Sequence, residues 1–264
     1  MKITLLGSGD AIGMPVPLCG CDYCRTSDRR RRPSLLVETA DCTLVLDAGP
    51  DLAEQLRTIG VKDVDAVFLT HVHHDHIEGL HAIAQAGKWP ADHLEESMEF
   101  EPVNDPTVSV YLTATALEHL REMRSYLLPM IATKSIAPRT SLEFGDAHIT
   151  PFAVEHARPT FETIGFVIEC GGSKVVYAPD VERFRDYETP IEPELLFIEG
   201  AALFGTPLHG SEESLRMTIE ATTPDQVVLL TISEHKARKH TEALGKIATA
   251  SEYELGADFA TYSL

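Results

Sequence analysis

Cysteine and tryptophan are scarce in this chain of 264 residues, with five of the first and one of the second. No apolar run is long enough to span a bilayer. The opening stretch "MKITLLGSGDAIG" has too short an apolar segment for a secretory leader and reads instead as a strand entering a glycine-rich turn. A cytoplasmic location is therefore the expectation. In that reducing compartment, five irregularly spaced cysteines argue against a disulfide scaffold. Cys42 and Cys170 stand alone in strand-like runs and read as small buried hydrophobes. Positive charge is also short: 22 Lys and Arg face 41 Asp and Glu, for a net charge of −19. Such a surface repels a polyanion and disfavours extended contact with DNA or RNA. The basic residues do gather once, at Arg25, Arg29, Arg30, Arg31 and Arg32. That run reads either as a solvated loop balancing an acidic surface or as an anchor for one or two phosphates, because guanidinium groups match phosphate oxygens in a bidentate fork.

Hydrophobic residues make up 44% of the chain, ordinary for a folded domain that buries a full core. "KITLLG", "SLLVET", "TLVLDAG", "VDAVFLT" and "VSVYLT" read as strands in the first half. Helices are expected in "PDLAEQLRTIG", from about Gly79 to Ala86, and in "TALEHLREMRSYL". The second half repeats the scheme with strands "HITPFAVEH", "IGFVIEC", "SKVVYAPD", "ELLFIEG" and "QVVLLTI", the helix "SEESLRMTIEAT", a last helix from about Ala237 to Ala250, and a closing strand "DFATYSL". This is an α/β pattern of packed sheets flanked by helices. There is no short-period repeat and no low-complexity linker, so one domain over 1–264 is expected. An acidic insertion near 88–107, holding Trp89, interrupts it and reads as a solvated surface segment or a lid.

Two clusters carry chemistry. "LCGCDYC", residues 18–24, puts Cys19, Cys21 and Cys24 within six positions. They read either as metal ligands or as redox thiols. "FLTHVHHDHIEG", residues 68–79, sets His71, His73, Asp75 and His76 just after a buried strand. Imidazole and carboxylate are the ligands that borderline divalent ions prefer. In extended backbone His71 and His73 fall on one side, and Asp75 and His76 then lie in the turn, free to face a second ion.

"HVHHDH" resembles the HxHxDH signature of the metallo-β-lactamase superfamily. The resemblance extends along the chain through "LVLDAG" ending on Asp47, "AVEHARPT" with His156, and "VVYAPDV" with Asp180. It implies an αββα sandwich with its site at one edge of the two sheets. It also implies ligand roles: His71, His73 and His156 for a first ion, Asp75 and His76 for a second, Asp180 bridging, and Asp47 orienting the ligand-bearing loops from behind. Two such ions lower the pKa of a shared water and clamp the oxygens of a phosphoryl or carbonyl centre.

The cysteines resemble one branch of that superfamily, the phosphodiesterase that accompanies the carbon–phosphorus lyase pathway and its relatives. The resemblance implies a structural zinc loop near 18–32, with Cys19, Cys21, Cys24 and His235 as a closed Cys₃His set. Redox thiols, or His235 turned inward as a catalytic ligand, are the competing readings. "LLTISEHKARKH" departs from the branch: Ile232 stands where a histidine is expected for the second catalytic ion. A water-completed weak site, a substitute ligand (His240 is nearest in sequence) and a mononuclear centre all stay open, so the cofactors expected are a structural Zn²⁺ and one or two catalytic ions, Zn²⁺ or Mn²⁺. His209 in "TPLHGSEES" resembles the branch's proton donor to the leaving group, and is counted with Asp75 as catalytic; otherwise it caps the helix beginning near Ser211.

The implied function is metal-dependent phosphodiester hydrolysis of a small cyclic phosphate or nucleotide-like substrate. Alternatives are a tRNA 3′-processing-type ribonuclease or a thiolester hydrolase of the same fold, and, in a different class, a catalytically impaired, metal-stabilised binding protein. The partner expected is the small phosphodiester; neither extended nucleic acid nor membrane is expected, and a homodimer is left open.

Overall fold

The central strands of the first half carry apolar residues on both faces because both faces are covered. On β2 (Ser34–Glu38), Leu35 and Val37 enter one hydrophobic layer and Leu36 another; on β3 (Thr43–Leu46), Leu44 and Leu46 are divided from Val45 in the same way. The computed structural model describes residues 1–86, 108–156, 162–185, 190–207 and 209–264. The acidic insertion near 88–107, with Trp89, lies outside the described residues.

In chain order the first half continues from β1 (Lys2–Gly7) through α1 (Asp22–Thr26), β2, β3, α2 (Leu52–Ile59), β4 (Ala66–Phe68), α3 (His74–Ile77), α4 (Leu80–Ala86), β5 (Ser109–Thr113), α5 (Ala114–Arg124) and β6 (Ala132–Ile136). The second half holds β7 (Leu142–Phe144), β8 (Ala147–Glu155), β9 (Thr163–Cys170), β10 (Ser173–Ala178), β11 (Arg183–Phe184), β12 (Leu195–Glu199), α6 (Glu212–Thr222), β13 (Gln226–Leu230), α7 (Glu234–Ala237), α8 (Thr241–Ala250) and β14 (Glu254–Leu255). A last strand, β15 (Thr261–Ser263), returns to pair with β1. One sheet runs β15-β1-β2-β3-β4-β5-β6 and the other β11-β8-β9-β10-β12-β13-β14, with β7 beside β8.

Ile3, Leu35, Phe68, Phe166, Tyr177 and Phe197 fill the space between the sheets. A second layer packs the outer face of the first sheet against α2, α4 and α5 through Leu52, Leu80 and Leu120; a third packs the other sheet against α6 and α8 through Leu215, Ile219 and Leu244. The result is the αββα sandwich. Each fully buried Leu, Val or Phe contributes about 1.5–3 kcal/mol. No helix among the described residues is long and apolar enough to cross a membrane.

Strands β3 to β6 are parallel, as are β10, β12, β13 and β14. Parallel order sends their carboxyl ends to one edge, where ligand sites of open α/β sheets form. Asp47, the 70–76 segment, Asp180, Glu199 and the 231–235 segment all leave strands at that edge.

Two expectations from sequence are corrected, the second in part. The last helix does not begin near Ala237: α7 stops there, Arg238 turns left-handed at φ 50, and α8 starts at Thr241. The break follows from Glu234, whose buried carboxylate accepts from Arg30 Nε at 2.8 Å and from Thr241 Oγ1 at 2.6 Å, folding the chain back between them. The arginine run divides: Arg25 and Arg29 are exposed and balance acidic neighbours, while Arg30 is buried and Arg31 and Arg32 are half-buried. Arg29 pairs with Glu54, Arg31 with Glu54 and Asp258, Arg32 with Asp51, and Arg25 with Asp22. Arg30 is buried and also donates to Ser8 Oγ and the Gly256 carbonyl, both at 2.7 Å. It therefore joins the cysteine-bearing loop to the ends of both sheets.

Removing one partner of such a buried pair strands the other charge. Glu234→Ala should lower unfolding free energy by about 3–5 kcal/mol in urea titration, whereas Arg30→Met with Glu234→Met should cost much less. Equal losses in the two would show that the pair's geometry, rather than an orphaned charge, carries the effect.

Candidate metal centre

The site is built around Asp47, at the end of β3. Its backbone is left-handed (φ 62), a conformation aspartate tolerates better than most residues. Its Oδ1 accepts the Thr70 N–H at 2.8 Å, and the Thr70 hydroxyl lies 3.0 Å from both carboxylate oxygens. Oδ2 accepts His76 Nδ1–H at 2.8 Å and the Tyr177 hydroxyl at 3.1 Å. The Thr70 oxygen is also 3.0 Å from His71 Nδ1. One hydroxyl proton cannot serve both neighbours: it goes to the carboxylate, so the hydroxyl accepts from His71 Nδ1–H. Both histidines then carry the proton on Nδ1 and present a bare Nε2 to the site.

Two glycines let the segments meet. A Cβ at Gly49 would run into the Asp75 carbonyl, and one at Gly79 into the Gly49 carbonyl. The glycines of "LDAG" and "DHIEG" are therefore packing requirements of the loop pair that carries the ligands.

The donor atoms converge in two groups that share a carboxylate. His71, His73, His156 and Asp180 form one; Asp75, His76 and Asp180 form the other. In the first, His71 Nε2 is 2.9 Å and His156 Nε2 3.3 Å from His73 Nδ1. In the second, His76 Nε2 is 3.3 Å from Asp75 Oδ2 and 3.4 Å from Asp180 Oδ2. That same Asp180 oxygen is 3.6 Å from His71 Nε2, so one atom faces both groups. Bonds of about 2.0–2.1 Å at a tetrahedral angle place donors about 3.3–3.4 Å apart, and the spacings fit a cation in each. The buried His76 Nε2 has no hydrogen-bond partner, as expected of a lone pair meant for an ion. Burial drives the pKa of His71 well down and that of His156 to about 4, keeping both as neutral ligands. For His76, burial acts downward too, but Asp47, Asp75 and Asp180 outweigh it and raise its pKa, the mark of a pocket that draws positive charge. His74, between the ligands in sequence, is exposed.

Ile232 is wholly buried in the apolar layer beneath α8 and supplies no donor. His240 stands apart from both groups: it is exposed, precedes α8, and its ring lies 4.8 Å from that of Tyr23. His209 does not cap the following helix, since Ser211 does that through Ser214. Instead its Nδ1 is 2.6 Å from Glu199 Oε2, and its ring lies 4.1 Å from that of His156. Asp180, Glu199 and His209 make a further cluster. Burial would lower the His209 pKa; the Glu199 hydrogen bond and the charge of Asp180 raise it. Glu199, Thr70 and Tyr177 were not singled out from sequence. A carboxylate ending the apolar strand "LLFIE" was the available signal for Glu199; nothing marked Tyr177 within "VVYA".

A third group lies apart. The Sγ atoms of Cys19, Cys21 and Cys24 are 3.6, 3.4 and 3.6 Å from His235 Nδ1. Zn–S bonds of about 2.3 Å and Zn–N bonds of about 2.0–2.1 Å at tetrahedral angles require about 3.5–3.6 Å. The Cys24 backbone N–H and His235 lower the Cys21 pKa to about 6, whereas burial raises that of Cys24 to about 11, so Cys21 is the more readily ionised of these two thiols. The four donors have the spacing and make-up of a closed Cys₃His set, and His235 Nδ1 faces the thiols.

Comparison with known proteins agrees with this architecture. The chain belongs to the beta-lactamase superfamily: residues 43–222 match the family model described as "Beta-lactamase superfamily domain". Its fold is the metallo-β-lactamase sandwich, and its His/Asp groups are donors that could hold divalent ions. It is 29% identical to an octanoyltransferase of Porphyromonas gingivalis over 92% of this chain and 48% of that one. Its identity to ribonuclease Z of Mycolicibacterium gilvum is 25%, over 70% of this chain and 63% of that one. The chain thus spans between about half and two thirds of the length of these curated relatives. In fold it is similar to a diphosphatase from the PhnP family, with a TM-score of 0.75 and 22% identity over 100% of this chain and 97% of that one.

Metal binding at a closed site is coupled to folding. Cys21→Ser, or prolonged chelation that strips the cysteine cluster, should lower the melting temperature by several degrees while leaving turnover per folded molecule largely intact. Lost turnover with unchanged melting would contradict a structural role.

Proposed function

We propose that the protein is a phosphodiesterase acting on small cyclic or nucleotide-like phosphodiesters. The observation that carries this reading is the single Asp180 oxygen facing both donor groups, with the His209–Glu199 pair beside it. His71, His73 and His156 would hold one divalent ion, Zn²⁺ or Mn²⁺, and Asp75 and His76 a second, with Asp180 offered to both; such ions would supply a water of lowered pKa and charge for the phosphoryl oxygens. Cys19, Cys21, Cys24 and His235 would hold a structural Zn²⁺.

His209 moves the proton. Glu199 holds its Nδ1–H, so Nε2 is the atom that donates to the departing oxygen, and the raised pKa keeps a useful fraction protonated near neutrality. A poised donor suits an alkoxide leaving group, which must be protonated. A thiolate leaves readily without one, which favours the phosphodiester over the thiolester. The relatives named ribonuclease Z and the neighbour described as a diphosphatase support phosphate-ester chemistry. Between a small substrate and RNA, the net charge of −19 and the engagement of the arginine run in internal ion pairs favour the small one. The six donors His71, His73, Asp75, His76, His156 and Asp180, all brought together, favour catalysis over a binding role. A cytoplasmic site of action, where the cysteines stay reduced, fits the thiol ligands.

The test is hydrolysis of bis-p-nitrophenyl phosphate with added Mn²⁺ or Zn²⁺. Turnover should fall by at least about 100-fold in His73→Ala. Absence of turnover on this and on 2′,3′-cyclic nucleotides across both metals would move the assignment to a binding protein; faster cleavage of a tRNA precursor would move it to the ribonuclease. His209→Ala should slow alkyl leaving groups by about 10²–10⁴-fold and spare p-nitrophenolate, which needs no proton. Equal loss on both would rule out proton donation.

A further inference from the structure

The two donor groups are unequal. The first has four donors; the second has three, one of them the shared Asp180 oxygen, and the buried Ile232 adds nothing. An ion in the second group therefore leans heavily on His76. The His76 ring is wholly buried, and its described hydrogen bond beyond the metal-facing edge is the one from Nδ1 to Asp47 Oδ2. Whatever holds that oxygen still holds the ligand.

Tyr177 does so from the opposite sheet. It lies on β10, fully buried in the apolar layer between the sheets, opposite Phe166 of β9. Its hydroxyl is the one polar atom it brings there, and it reaches Asp47 Oδ2 at 3.1 Å. Burial and the neighbouring Asp47 charge both hold the phenol protonated, so it donates. The remaining donors to Asp47 are Thr70 and His76, both from the first sheet and both on the segment that Asp47 has to position. Tyr177 thus ties the carboxylate itself to the second sheet, which also carries Asp180, while the Ile164 N–H of that sheet holds the Thr70 carbonyl at 3.0 Å. Of these two links, the one through Tyr177 bears directly on the oxygen that orients His76.

We infer that Tyr177 is a positioning residue that sets affinity for the second catalytic ion, acting through Asp47 and His76 without touching ion or substrate. The inference rests on the two-ion reading of the site. Partners of this kind, one bond behind a ligand, change metal affinity by about 10–100-fold when removed.

The test uses the full-length chain with its cysteine-site zinc retained and its loosely held metal removed, titrated with Mn²⁺ while free Mn²⁺ is read by electron paramagnetic resonance. Thiolates disfavour Mn²⁺, so the titration reports the histidine groups. The wild-type chain should take up two Mn²⁺ ions. Tyr177→Phe, which removes only the hydroxyl, should weaken one of them by about 10–100-fold and leave the other unchanged. Phe166→Leu serves as the packing control: it should lower the melting temperature and keep both affinities. Unchanged binding in Tyr177→Phe, equal weakening of both ions, or the same selective loss in Phe166→Leu would overturn the assignment. Uptake of fewer than two Mn²⁺ by the wild-type chain would instead overturn the two-ion reading, and the role of Tyr177 with it.

Discussion

The Asp47 carboxylate is the constraint on which the site depends. It is fully buried, and a buried carboxylate is tolerated only when hydrogen bonds replace the water it has lost. Here the backbone and hydroxyl of Thr70, the ring of His76 and the phenol of Tyr177 supply them. Each bond that satisfies Asp47 also orients something else. Thr70 passes the proton arrangement on to His71, His76 is a donor of the second group, and Tyr177 comes from the facing sheet. Solvation of one anion and alignment of two donor groups are the same set of contacts.

A second anchor works beside it. Arg30 and Glu234 form a buried pair whose other bonds reach Ser8, Gly256 and Thr241. Glu234 is followed at once by His235, so the pair fixes the backbone from which that ring meets the three thiols. The cysteine cluster then ties the N-terminal loop to the end of β13, next to Ile232. Hydrogen bonds from Ile232 N–H to the Ser8 carbonyl and from Asp10 N–H to the Ile232 carbonyl close the same seam. With a cation in the cysteine cluster, this corner is held by charge and coordination where the surrounding loops offer little apolar surface.

Much of this was legible in the chain. Strands with both faces buried read as continuous apolar runs, and His71 to His76 stand out because imidazole and carboxylate groups abruptly follow "VFLT"; Asp47, His156 and Asp180 are legible through the resemblance of their motifs to the metallo-β-lactamase superfamily. Short-range spacing was equally plain in Cys19, Cys21 and Cys24. The misplaced start of the last helix had a different cause. Residues 238–240 are Arg, Lys and His and carry no apolar signal of a break, and the turn there accompanies bonds to Glu234 from Arg30, 204 positions away, and from Thr241. The arginine run misled in part, for the same reason, since its acidic partners Asp51, Glu54, Glu234 and Asp258 are scattered along the sequence.

By itself the sequence determined the order of strands and helices and the two donor-rich segments at residues 18–24 and 68–79, because hydrophobic period and residue chemistry are local properties; the αββα layering and the remaining donors followed from motif resemblance. Only the tertiary structure decided how those donors are used. That Asp180 faces two groups, that Glu199 rather than a helix end holds His209, and that Tyr177 backs Asp47 are contacts between strands of opposite sheets or between ends of separate strands. No local pattern encodes them. A buried phenol in "VVYA" looks like any core aromatic until the other sheet brings a carboxylate within 3.1 Å of its oxygen.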